Sequence, residues 1–224
     1  MITTARLLLF GAACLFWVAN AQAGESDWVP LKLKLPAPVD AGTPKNLPPG
    51  STVELNAKPE APPLMPPDAR NVAPGKRITS SDKNATASDL AKLADGDKEA
   101  EENGIVQLRK GLQWVQFDLN VPHEIYAVAF WHAFDTHKIF HSVAVQVADD
   151  ADFTENVRTL FNNDRENSAG LGIGADRQYM ESNLGKVVDA KGARARYVRL
   201  YSNGSSDSKL NEYIEVEIYG RPAK

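Results

Sequence analysis

Four histidines, His123, His132, His137 and His141, are all that the 224-residue chain contains, and they fall within nineteen positions. Trp131, Phe134, Asp135 and Phe140 lie among them. An imidazole is at once a ring, a hydrogen-bond donor and an acceptor, and beside a carboxylate it can ligate zinc or copper. Three readings follow. Trp131, His132, Phe134, His137 and His141 form a ligand-binding loop that stacks on and hydrogen-bonds a molecule such as a sugar. Alternatively they hold a transition metal, or the rings simply face water. No pair has the HExxH arrangement, so metal-assisted hydrolysis has little support.

Other groupings could take part in recognition. Asn162, Asn163 and Asp164 open a loop with Arg165, Glu166, Asn167 and Ser168, and such amides, carboxylates and guanidinium can bracket neighbouring hydroxyls. The alternative is a solvated loop. Gly170, Gly172 and Gly174 follow, but without the Lys-Ser/Thr of a phosphate loop or a long helix behind them. Arg199 stands on a strand face with Tyr197 and Tyr201, opposite Val198 and Leu200; it is a candidate for the binding face or for ion pairing. Asp95-Gly96-Asp97 places two carboxylates around a tight turn, which suits a hard cation such as calcium, or is an Asp-Gly turn with no ion. Catalysis finds no foothold: there is no GxSxG elbow, and no carboxylate pair is singled out by spacing.

These residues need a scaffold, and the chain divides into three. Residues 1–23 read as an export signal: Arg6, an uncharged apolar stretch from Leu7 to Val18, and a small-x-small site at Ala21-Gln22-Ala23. The only cysteine, Cys14, leaves with it, so no disulfide framework or multi-cysteine zinc site is expected. An exported chain without cysteine suggests a bacterial envelope, periplasmic or secreted, with no membrane span after cleavage. Residues 24–70 hold eleven of the fourteen prolines, which excludes helix and makes an extended arm. Leu31-Lys32-Leu33-Lys34-Leu35 alternates like a short edge strand between Pro30 and Pro36. The arm is either a spacer or, given its Trp28, Leu64 and Met65, a segment docked on the domain or on a protein partner. A net charge of −4 gives no reason to expect nucleic acid.

From residue 71 the pattern is β. Strands are expected at 77–80, 113–119, 125–133, 142–148, 157–161, 196–201 and 213–219, with one helical turn over 88–93 capped by Ser88. Val143, Val145 and Val147 share one face. Ile214, Val216 and Ile218 are expected on one face and Glu215 and Glu217 on the other. Residues 162–176 should be a surface loop. Seven or eight such strands over about 150 residues argue an all-β, two-sheet antiparallel sandwich.

Asn71-Val72-Ala73, Thr79-Ser80-Ser81-Asp82, Ala94-Asp95-Gly96-Asp97, the 114–119 run WVQFDL, the 196–200 run RYVRL and the 214–220 run IEVEIYG occur in that order. Over residues 71–221 this resembles the discoidin, or coagulation-factor type C, domains of the galactose-binding-like superfamily. The resemblance implies an eight-stranded jelly roll and a non-catalytic binding function. The expected partner is a carbohydrate or other envelope or extracellular ligand, bound through loops at one end of the sandwich; the alternative is a structural or protein-interaction module. It also implies a calcium ion held by Asp95, Asp97 and Glu215. The chain departs from the family after this loop, where Lys98-Glu99-Ala100-Glu101-Glu102-Asn103 replaces the usual Thr or Ser and Trp.

Overall fold

Two long strands build both layers of the molecule. In the computed structural model, which describes residues 27–39, 53, 60–99 and 101–224, β6 (Gln113–His132) and β9 (Lys186–Ser202) pair antiparallel along almost their whole length. They bend together in the middle. Between the pairs Asp118–Tyr197 and His123–Ala195, β6 contains extra residues around Asn120, whose φ is 72°, and Pro122. Between Ile125–Ala193 and Ala127–Asp189 the excess lies on β9, at Lys191 and Gly192, with φ of 51° and 73°. Such bulges bend a strand and increase its twist, so each strand leaves one layer and enters the other.

The first layer runs β4 (Arg77–Ser80), the first half of β6, the second half of β9, β7 (Ala144–Ala148) and β8 (Arg158–Asn162). In the second, β10 (Asn211–Pro222) lies between the rest of β6 and two short strands, β3 (Arg70–Asn71) and β5 (Val106–Leu108). The result is an antiparallel jelly-roll sandwich. Alternation fills its interior: Val115, Phe117, Leu119, Val143, Val145, Val147, Val198 and Leu200 meet Val128, Phe130, Val188, Val216 and Ile218 in one buried cluster. Each such side chain contributes about 1.5–3 kcal/mol on burial.

Strand 213–219 departs from the expected pattern. A bulge between Tyr213 and Glu215 inserts Ile214 between two register pairs. Tyr213 therefore opposes His132 inside, Glu215 opposes Trp131 outside, and Ile214 joins Trp131, Ala129 and Phe134 in a separate apolar cluster instead of facing Val216. The helical turn is likewise displaced: it spans Ala87–Ala91, and Thr86, not Ser88, accepts the capping bond from the Asp89 N–H at 3.2 Å. A 3₁₀ turn, Lys92–Ala94, continues it.

The second apolar cluster lies on the outer face of the second layer, and the arm covers it. Leu31 is buried and Leu33 packs on the cluster with Ile105 and Val187. The Leu-Lys alternation forms no strand. Instead β1 (Val29–Pro30) pairs with β2 (Leu64–Met65), and the Leu31 N–H donates to the Pro63 carbonyl at 2.9 Å. Trp28 sets its edge on Tyr126, 5.3 Å between centroids. Lys98 Nζ donates to the Lys34 carbonyl at 2.8 Å, and Asn183 Nδ2 to that of Pro36 at 3.2 Å. The parts of the arm at 27–39 and 60–70 are thus docked. The export signal expected at 1–23 lies outside the described residues, as do all but Val53 of 40–59. Among the described residues no helix is long and apolar enough to cross a membrane.

Candidate functional site

Because β6 and β9 double back, their ends and the loops that leave them collect at one end of the sandwich. Backbone bonds stitch these loops together. Asn163 N–H donates to the Val143 carbonyl, Asn203 N–H to that of His141, Ser206 N–H to that of Ile139 and Glu181 N–H to that of Lys138, all at 2.8–3.0 Å. Lys138 is buried inside the assembly, paired with Asp135 at 2.9 Å and Glu212 at 3.3 Å. Burial alone would lower its pKa, but the two carboxylates outweigh it and raise it.

A cleft of about 950 Å³ opens here between β8, the 175–182 loop and the start of β9. Phe161 and Tyr179 supply its rings, 6.2 Å apart and edge-on. Lys186, the first residue of β9, places its ammonium 5.1 Å from the Phe161 centroid and 5.7 Å from that of Tyr179. His137, Arg177 and Gln178 also line it, and the arm contributes Glu60 at its rim. The Tyr179 hydroxyl is pushed well above its usual range by burial and then by the neighbouring Glu181 charge. A smaller recess of about 480 Å³ lies on the same end, bordered by His141, Lys110, Asn203, Ser205 and Lys209.

The histidine-rich stretch is therefore divided. His137 reaches the large cleft and His141 the small recess. His132 does neither; it points into the core. Its ring stacks on Phe140 (4.2 Å, 13°) and meets Phe130 edge-on at 5.5 Å and Tyr213 at 4.5 Å. Its Nδ1 lies 2.7 Å from Glu181 Oε1, both side chains being wholly buried, while His132 Nε2 and Glu181 Oε2 have no partner. Trp131 and Phe134, expected on a loop surface, are buried beneath the arm in the outer cluster. The reason is strand alternation: β6 runs on through His132, so Phe130 and His132 face inward and Ala129 and Trp131 outward. Gly185 presses so closely on Trp131 that a Cβ there would lie 2.6 Å from the indole.

Asn162, Asn163 and Asp164 are also buried rather than displayed, because the loop is built around them. Asn163 Oδ1 accepts the Val143 N–H at 2.8 Å. Asn162 Nδ2 donates to the Gly172 carbonyl, and Asp164 accepts the Ala169 N–H and both Ser142 and Ser168 hydroxyls. Burial would raise the Asp164 pKa, but these donors bring it below its ordinary value. Arg199 lies away from this end, on the outer face of the first layer. Its guanidinium sits between Trp114 (4.4 Å) and Phe153 (3.9 Å) and donates to Gln116 and to the Ala151 carbonyl.

The Asp95-Gly96-Asp97 loop does meet Glu215, but through backbone: Gly96 N–H donates to Glu215 Oε1 at 3.2 Å. Asp95 Oδ1 accepts the Asp97 N–H and Asp97 Oδ1 that of Glu99. Glu215 Oε2 is buried without a partner, and burial pushes its pKa up to about 8. Lys98, from the same loop, lies 4.6 Å over Trp131 and 2.6 Å from Glu217. Among the described residues no group of three or more His, Cys, Asp or Glu side chains is gathered to hold a metal ion.

Phe161, Tyr179, Glu181 and Lys186 went unread in the sequence. The aromatic-and-acid pair Tyr179 and Glu181, two residues apart after a glycine-rich run, was the available signal.

No protein-family model matches the chain, and neither does any curated protein. Solved structures do. CpGH89 from Clostridium perfringens, in complex with its substrate GlcNAc-alpha-1,4-galactose, superposes with a TM-score of 0.50 at 14% identity, covering 68% of this chain. The match spans only 15% of that enzyme's length. A Streptococcus pneumoniae fucose binding module matches with a TM-score of 0.46 and 16% identity, over 67% of this chain and 97% of its own. The CBM32 of AlyQ in complex with 4,5-unsaturated mannuronic acid matches at 0.44 and 18%, over 63% and 92%. At these identities the likeness is one of fold.

Proposed function

We propose that this chain is an exported, non-catalytic carbohydrate-binding module of a bacterial envelope, reading its glycan through the cleft at the loop end. The observation that carries this is the cleft itself: about 950 Å³, walled by Phe161 and Tyr179 and rimmed by His137, Gln178 and Lys186. Rings offer a face to the C–H side of a sugar, and the polar groups fix its hydroxyls. The sandwich it shares with solved proteins, among them a fucose binding module, supports the reading. A glycan array with the full chain tests it. Binding that falls at least tenfold in Tyr179→Ala, under conditions where circular dichroism shows the variant folded, is expected; an array without a hit, or a hit indifferent to Tyr179, refutes it. Export is tested by sequencing the N-terminus of protein taken from the envelope, with cleavage expected before Gly24.

A structural calcium ion at Asp95, Asp97 and Glu215 belongs to the same proposal, supported by the unpartnered Glu215 Oε2 beside the loop. Melting at higher temperature in calcium than in chelator is expected, since a ligand of the native state stabilises it; identical melts remove it. A second reading, a protein-interaction module working through the arm, is favoured by the exposure of Val29, Leu35, Val39 and Leu64 there. It predicts a partner lost on replacing these four residues with serine, with glycan binding untouched.

A further inference from the structure

The Lys186 charge in the cleft takes its counter-charge from outside the folded module. The Lys186 side chain is only 16% exposed, and its ammonium is paired with Glu60, a side chain 79% exposed on the arm. Both Glu60 oxygens reach it, at 3.2 and 3.4 Å. The cleft acids that belong to the module each hold another group through one oxygen. Asp176 Oδ2 accepts the Asn162 N–H at 2.6 Å, Glu181 is bound to His132, and Asp189 Oδ1 accepts the Lys191 N–H at 2.9 Å. A largely buried ammonium needs an anion nearby, yet an ion pair with so exposed a partner is weak. A carboxylate arriving from solution can replace Glu60 without dismantling anything else in the cleft.

We infer that the ligand is an acidic saccharide, a uronate, whose carboxylate takes Lys186 from Glu60 while its ring lies along Tyr179 and Phe161. The inference rests on the cleft being the glycan site. Glu60 marks where the ligand carboxylate sits, and the arm competes with the ligand for this position. A hydroxyl in its place would leave the ammonium without its anion, so the neutral form of the same sugar binds less well.

The test is calorimetry of the full chain with oligomers of galacturonate, glucuronate and mannuronate, their methyl esters, sulfated oligosaccharides and neutral oligosaccharides. At least one uronate should bind about tenfold more tightly than its ester. Glu60→Gln should tighten that uronate about threefold, the scale of an exposed ion pair, and leave the ester unchanged. Lys186→Met should abolish the preference for acid over ester while melting as the parent does. Equal binding of acid and ester, no gain in Glu60→Gln, or tighter binding of sulfated than of uronic sugars overturns the inference. Neutral glycans bound without acid preference would refute it and leave the binding-module reading standing; no saccharide bound at all would refute both.

Discussion

Removing either half of the His132–Glu181 pair should cost far more than removing both. The two side chains are completely buried at 2.7 Å. His132→Phe keeps the ring stacked on Phe140 but leaves the Glu181 carboxylate unpaired in the interior. Breaking a buried pair from one side costs about 3–5 kcal/mol. At about 2–4 °C of melting temperature per kcal/mol in a chain of this size, that is a fall of roughly 10 °C. Glu181→Leu should cost a similar amount, through the stranded imidazole and the disturbed 175–182 loop. The double variant should recover most of the loss, because apolar replacements of similar volume return the desolvation cost of both groups. Urea unfolding of the four proteins gives the coupling directly, and it should be about 5 kcal/mol or more. Single variants within 1 kcal/mol of the parent, or a double variant no better than their sum, would mean that His132 is a solvated group, and the core assignment would fall.

Three further outcomes follow from the geometry. Lys98→Met leaves Glu217 with the Tyr219 hydroxyl but without this counter-charge, and removes the bond to the Lys34 carbonyl; stability should drop by about 3 kcal/mol, and the arm should be cut faster in limited proteolysis. Gly185→Ala, at φ +64° and against Trp131, should destabilise by about 2 kcal/mol or more, read as a lower urea midpoint. Asp82 is pushed up by burial but pulled further down by the N–H groups of Asn84 and Arg109 and the Arg109 guanidinium, so it lies below its ordinary 3.8. Its contribution is therefore complete above that value and lost as pH falls through the lowered one. Asp82→Asn should cost about 1 kcal/mol at pH 7, and the gap to the parent should narrow in melts recorded below pH 4.

The sandwich was legible because its core strands keep strict period two: Val143, Val145 and Val147, or Val198 and Leu200, declare their inner face unaided. What broke that period was not legible. The β10 bulge moves Ile214 to the opposite face, and no local signal distinguishes it from its neighbours. The first half of β9 was missed because its outer face carries Val187 beside the exposed Asp189 and Lys191, and the apolar cluster that Val187 and Leu33 of the arm share is assembled from residues far away in sequence. The site suffered most. Chemistry-bearing side chains gathered near His132 suggested a surface, but whether a histidine ends a strand inside or outside depends on where the strand stops. Likewise Asn162, Asn163 and Asp164 have the composition of a displayed loop and the position of its internal frame, since short polar side chains serve both roles.

The two bent strands have a consequence for how the molecule forms. Gln113 pairs with Ser202 and Phe130 with Lys186, so neither layer can close before distant halves of the chain have met. The β7–β8 hairpin lies at the edge of the first layer, and the second layer is built from strands far apart in sequence. Folding should be slow for the chain's size, in the millisecond-to-second range of proteins dominated by non-local pairing. And because the central pair runs, bulges apart, through both layers, the amides paired between β6 and β9 should exchange with solvent at one common free energy, that of global opening.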